Sequence, residues 1–227
     1  MLLSPECQRS PVGSTSSQRE GPQVDDVAEE VLKHQYIYVP WIEGKDTAEA
    51  GKELGLYVAR KHGGRLTVVC AIKSNATHHD ELARLPIVTE RSGAVVDGGV
   101  VLAWCPTYKV MEKVYRLQKS VMVLVEWPPE RFDGWAKLVG AYNALTGEVM
   151  KSGLSADGLE TLGQIVFAGY KGWHDQIAER QTLSLLADLK AGDGYDHELV
   201  LAYARMHKSE AAMERLEKIL NKFEAKT

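Results

Sequence analysis

From Tyr36 onward the chain alternates between short apolar runs and longer stretches whose apolar residues recur at helical spacing. Tyr36-Ile37-Tyr38-Val39-Pro40-Trp41 is aromatic and β-branched and predicts a strand, with Pro40 tolerable near its end or on an edge. Glu43-Gly44 stops it. Asp46 or Thr47 then caps a helix in which Ala50, Leu54, Tyr57 and Val58 form one buried stripe, ended by Gly63-Gly64. Leu66 to Ile72 is apolar nearly throughout, as a parallel strand covered on both faces requires. A polar loop over 73–77 leads to a short helix over 78–85. Ile87-Val88-Thr89 and Ala94-Val95-Val96 each read as short strand pieces, of which one is an irregular or edge strand. Val100 to Cys105 is a buried strand. The helix after it presents Val110, Met111, Val114 and Leu117, and Val121 to Trp127 is the next strand, stopped by Pro128-Pro129. Phe132, Trp135, Leu138, Val139, Tyr142 and Leu145 predict an amphipathic helix.

Four strand–helix units in about 110 residues imply a doubly wound, Rossmann-like α/β fold with a mostly parallel sheet. Beyond a glycine-spaced connector over 146–158 the pattern is helical only, which predicts a C-terminal all-helical region. The division expected is therefore a tail over 1–27, an α/β domain over 28–150 and a helical region over 151–227. The tail carries five serines, three prolines and three glutamines with almost no large apolar residue after Leu3, so it is expected to be disordered. A short polar helix from Asp25 to Lys33 is expected to lead into the fold. Trp104, inside a central strand, is expected to be buried; Trp173, on a helical seam, only partly so.

Composition narrows the class without naming a reaction. With 227 residues, 44% hydrophobic and 26% charged, the chain has the make-up of a globular protein large enough to bury a core without disulfides or structural metal. No apolar run reaches the roughly 18 residues that cross a bilayer, so no membrane association is expected. Against 27 basic residues stand 31 acidic ones, for a net charge of -4, which argues against nucleic acid as a partner. Residues 174–227, with eight basic and ten acidic side chains, lack the electrostatic footprint of a DNA-binding helix pair. Three cysteines without a CxxC pair fit a reducing, cytoplasmic setting and suggest no zinc site. No cofactor is identified.

In an open parallel sheet ligands bind outside the carboxyl ends of the strands, which turns the strands into a site prediction. The ligand-binding candidates are Trp41, Glu43 and Lys45 after the first strand, Ser74, Asn75 and His78 after the second, and Thr107 after the Val100 strand. His79 is the candidate general base, with an aspartate or glutamate orienting its imidazole. Glu126 is the candidate catalytic carboxylate, because a charge ending a run of five apolar residues is costly unless paired or used. The Glu43-Gly44-Lys45-Asp46-Thr47 loop lacks the glycine and the Ser/Thr of a phosphate loop, and a capped helix start accounts for it. Likewise Thr77 is expected to cap a helix beside solvated histidines. Cys105 precedes a helix start that lowers a thiol pKa, but no base accompanies it in sequence and an inert buried thiol is the plainer reading.

Two functional readings follow. In the first the chain binds a small molecule, nucleotide-like or sugar-phosphate-like, at the strand ends, with or without catalysis. In the second it is a non-catalytic scaffold or regulatory module that contacts a protein partner through its C-terminal helices.

Overall fold

A computed structural model describes residues 29–192 and 194–226. The expected disordered tail over 1–27 lies outside the described residues, as does the start of the helix expected from Asp25; residues 29–31 are helical. Seven strands form one sheet: β1 (Tyr36–Val39), β2 (Leu66–Val69), β3 (Ile87–Val88), β4 (Val100–Trp104), β5 (Val121–Val125), β6 (Tyr142–Asn143) and β7 (Glu148–Val149). Their order is β3-β2-β4-β5-β1-β6-β7, and every pair is parallel except β6 with β7. This differs from the 3-2-1-4-5-6 order of dinucleotide-binding sheets. The chain leaves β1 and crosses over β5 and β4 to reach β2, carried by α1 (Thr47–His62).

Alternation along the central strands divides the core in two. Ile37, Val39, Val68, Leu102, Trp104, Val123 and Val125 face α1 and two short helices, α2 (Lys73–Thr77) and α3 (Asp80–Ala83), which bury Ala76 and Leu82. Tyr38, Val69, Val101, Ala103, Met122 and Leu124 face α4 (Tyr108–Met111) and α5 (Asp133–Leu138). Helices on both faces make the fold doubly wound α/β. Four helices follow: α6 (Ala156–Ala168), α7 (Gln176–Ala191), α8 (His197–His207) and α9 (Glu210–Glu224). They enclose a core of their own around Leu186, Met213, Leu216 and Leu220, while Ala202 of α8 joins the α5 side of the sheet core. Among the described residues no helix is long and apolar enough to cross a membrane.

Several local expectations change. The strand pieces over 86–99 resolve into the edge strand β3 alone, and Ala94-Val95-Val96 is a loop. That loop is fastened by Asp97, whose carboxylate accepts from Gly98 N at 3.0 Å and Ser120 Oγ at 2.9 Å, and by Lys113 Nζ, which donates to the carbonyls of Thr89, Ser92 and Gly93. The polar loop over 73–77 is helical, and the helix expected over 78–85 is confined to α3. The amphipathic helix expected from Phe132 to Leu145 stops at Leu138, because Gly140 takes φ 63°, a conformation that ends a helix and turns the chain back to the sheet edge. Tyr142 then pairs with Ile37 in β6 and stacks on His34 at 4.6 Å, so its helical spacing from Leu138 is incidental. Trp173 is also more enclosed than expected. It is only 4% exposed, and its Nε1 donates to Thr182 Oγ1 at 3.0 Å.

Candidate functional site

Asp46 opens α1: its carboxylate accepts from Glu49 N at 3.1 Å, which satisfies one of the free amides of the first turn and leaves Asp46 and Glu49 side by side at the strand end. Behind them α1 lies very close to the sheet, since a Cβ at Gly51 would be 2.5 Å from Val125 Cγ2 and one at Gly55 would be 2.8 Å from Leu102 Cδ1. The helix start is thereby brought down onto the ends of β4 and β5. On the other side Trp104, 3% exposed at the end of β4, donates from Nε1 to the carbonyl of Asn75 at 3.1 Å and so ties α2 to the sheet. His79 stands edge-on to the Trp104 ring, with centroids 5.1 Å apart and planes at 78°.

These elements surround a cavity of about 400 Å3, lined by Asp46, Ala48, Glu49, Asn75, His79, Trp104, Cys105 and Trp127. It lies at the carboxyl ends of β1, β2, β4 and β5, and its volume is within the roughly 300–1,000 Å3 of small-molecule sites. Trp127, 47% exposed, stands at its rim. Two carboxylates and one imidazole line the cavity with no lysine or arginine among the described residues. Glu49 is oriented from behind by Lys52, a lysine only 6% exposed. Its Nζ lies 2.7 Å from Glu49 Oε1 and 2.9 Å from Glu81 Oε2, and the hydrogen bond to Glu49, followed by that to Glu81, raises the Lys52 pKa. Cys105 takes φ 44°, an uncommon conformation for a residue with a Cβ, held by its N–H donating to Val125 O at 3.1 Å. Burial pushes its thiol up to about 12, with the neighbouring Cys70 adding to the shift, so it is a protonated wall rather than a ready nucleophile.

Of the residues proposed from sequence, Asn75 and His79 line the cavity. Trp41, Glu43, Lys45, Ser74, His78, Thr107 and Glu126 are not among its lining residues. Glu43, Lys45, Ser74 and His78 are exposed. Trp41 lies under the Arg131 guanidinium, 5.2 Å from the ring centroid. Thr107 caps α4, accepting from Val110 N at 3.3 Å and donating to Glu90 Oε1 at 2.6 Å. Glu126, 2% exposed, continues the alternation of Met122 and Leu124 onto the α5 face, opposite the cavity. There Oε2 accepts from Tyr38 OH and from Phe132 N at 2.8 Å, and Oε1 accepts from Arg131 Nη1 at 2.8 Å. Burial first, and then the bond to Glu126, raises the Tyr38 phenol above its ordinary pKa.

Trp104 reads in the sequence as core, and it is both core and cavity wall. Asp46 and Trp127 stand in the sequence at strand ends, after the first strand and after the Val121 strand, whereas Glu49 is signalled only as an acidic residue in the first turn of a helix. Among the described residues no group of three or more His, Cys, Asp or Glu side chains is placed to hold a metal ion. No protein-family model, curated protein or solved structure matches this chain.

Proposed function

We propose that this protein, in a reducing cytoplasmic setting, binds a small ring-bearing ligand of the nucleoside class, uncharged or cationic, at the carboxyl ends of its parallel strands. The observation that carries the reading is the convergence of Trp127, Trp104, Asn75, His79 and the Asp46–Glu49 pair on one cavity. An exposed indole offers a stacking face for a flat heterocycle, worth roughly 1–3 kcal/mol per base. Asn75 supplies donors and an acceptor for a heterocycle edge, and the carboxylates suit the hydroxyls of a sugar. The same carboxylates disfavour a phosphorylated ligand, because a phosphate within about 5 Å of either costs on the order of 1–3 kcal/mol. The high thiol pKa of Cys105 favours binding over nucleophilic catalysis.

Thermal melts of wild type, Asn75→Ala and Trp127→Ala with nucleosides, their 5′-monophosphates and free sugars test the reading. A matching nucleoside at 100 times its Kd raises stability by about 2.7 kcal/mol, its monophosphate raises it less, and Trp127→Ala removes the effect. A flat response to every nucleoside, or a response that survives Trp127→Ala, overturns it. The scaffold reading is favoured by Phe167 and Ile177 on α6 and α7 and Tyr170 in the turn between them, which are 80%, 61% and 77% exposed. It is the reading left standing if no small molecule moves the wild-type melt.

A further inference from the structure

A second cavity, of about 390 Å3, separates the sheet region from the C-terminal helices and has the opposite electrostatic character. One wall is α4 and the turns after it; the other is the junction of α8 and α9. Five cationic side chains, Lys109, Lys113, Arg116, Arg205 and Lys208, line it against two glutamates, Glu90 and Glu112. In a chain of net charge -4, gathering cations in one concavity is unfavourable unless something neutralises them.

The protein itself uses up only part of this charge. Lys113 Nζ is spent on three loop carbonyls, and the Lys109 ammonium is 3.8 Å from Glu90. Glu112 Oε1 is occupied by Glu210 N at 2.7 Å, at the start of α9. Arg205, 11% exposed, lies 3.6 Å over the Tyr108 ring, and its Nε is paired with Glu210 Oε2 at 3.5 Å. Arg116 is exposed and Lys208 half-buried at the cavity, and neither has a carboxylate within ion-pair distance among the described residues. The residual positive field is felt locally: burial, followed by Lys208 and Arg116, lowers the His207 pKa, and burial lowers that of Lys208.

We propose that this cleft binds a small phosphate-bearing anion, held chiefly by Arg116 and Lys208 across the seam between the sheet and the helices. The concave form, with Arg116 and Lys208 both among its lining residues, suits a compact anion rather than an extended nucleic acid. Inorganic pyrophosphate is the probe. Calorimetry and thermal melts of the full chain at low salt should show binding that weakens as salt rises. Arg116→Ala and Lys208→Ala should each weaken pyrophosphate roughly ten- to hundred-fold, the loss expected for one charge-assisted hydrogen bond. Without anion, Lys208→Ala should melt no lower than wild type, because it relieves repulsion. Absence of wild-type binding at millimolar pyrophosphate, or variants that bind as wild type does, overturns the proposal. So does a single-stranded oligonucleotide that binds the protein and is not displaced by pyrophosphate.

Discussion

Glu126 shows how the direction of one side chain decides its role. Its carboxylate receives a phenol, a guanidinium and the backbone N–H of Phe132, so it joins β1, β5 and the start of α5 on the face away from the cavity. Glu126→Gln places an NH2 group where donors already point, and should cost about 2–4 kcal/mol in urea unfolding. An unchanged midpoint would mean that the three bonds carry no net stability. The two described cysteines give a prediction of opposite pH sign to that of a paired carboxylate. Burial pushes the Cys70 thiol up to about 11 and the Cys105 thiol up to about 12, whereas an unfolded thiol titrates near ~8.5. The unfolded chain therefore releases these protons first. The stability they lend is fully present below the unfolded pKa and declines as pH climbs from there toward 11 and 12. In a Cys7→Ser background both thiols should be slow toward an aromatic disulfide at pH 8 in the native state and fast in urea. Rapid native labelling of Cys105 would return it to the list of nucleophiles.

Among the elements, α1 does most to shape the cavity, and two glycines set its height above the sheet. Gly51→Ala raises helix propensity by up to about 1 kcal/mol, but the new methyl would stand 2.5 Å from Cγ2 of Val125, a stiff side chain with no exposed surface. The net effect should be a loss of about 1–3 kcal/mol, with Val125→Ala restoring part of it in the double variant; additive losses would show that the two sites do not touch. The central strands were legible because Leu66–Val69, Val100–Trp104 and Val121–Val125 are covered on both faces, which leaves continuous apolar runs. That same continuity hides the phase of alternation. With no polar residue marking a solvent side, nothing in Val121–Val125 says that Glu126 falls with Met122 and Leu124 while Trp127 falls with Val123 and Val125. Asn75 and His79 could be found because strand-end loops converge whatever the phase. The hairpin of β6 and β7 was missed because two-residue strands leave no periodicity of their own, and Tyr142 happens to continue the spacing of α5.

At the scale of the whole molecule, the C-terminal helices have their own core yet are fastened to the sheet region through one seam. A Cβ on Gly134 of α5 would lie 3.0 Å from both Ala202 Cβ and Glu198 O of α8, so the two helices cross nearly backbone to backbone. Nearby Arg205 stacks on Tyr108, and Glu112 accepts from the first amide of α9. The strand-end cavity lies on the α1 face, while the cationic cleft spans this seam, so the two should respond differently to its opening. Gly134→Val sets a branched side chain against a helix carbonyl that cannot swing aside as a side-chain tip would, and should push α8 outward. Hydrogen exchange should then rise in α8 and α9 while the amides of β4 and β5 stay protected. Pyrophosphate stabilisation should fall with it, because Arg116 and Lys208 stand on opposite walls of the cleft, whereas nucleoside stabilisation should persist. If both responses vanish together, the seam and the α1 face unfold as one unit and the helical region has no independence. If neither changes, the close approach at Gly134 is not what holds the helices to the sheet.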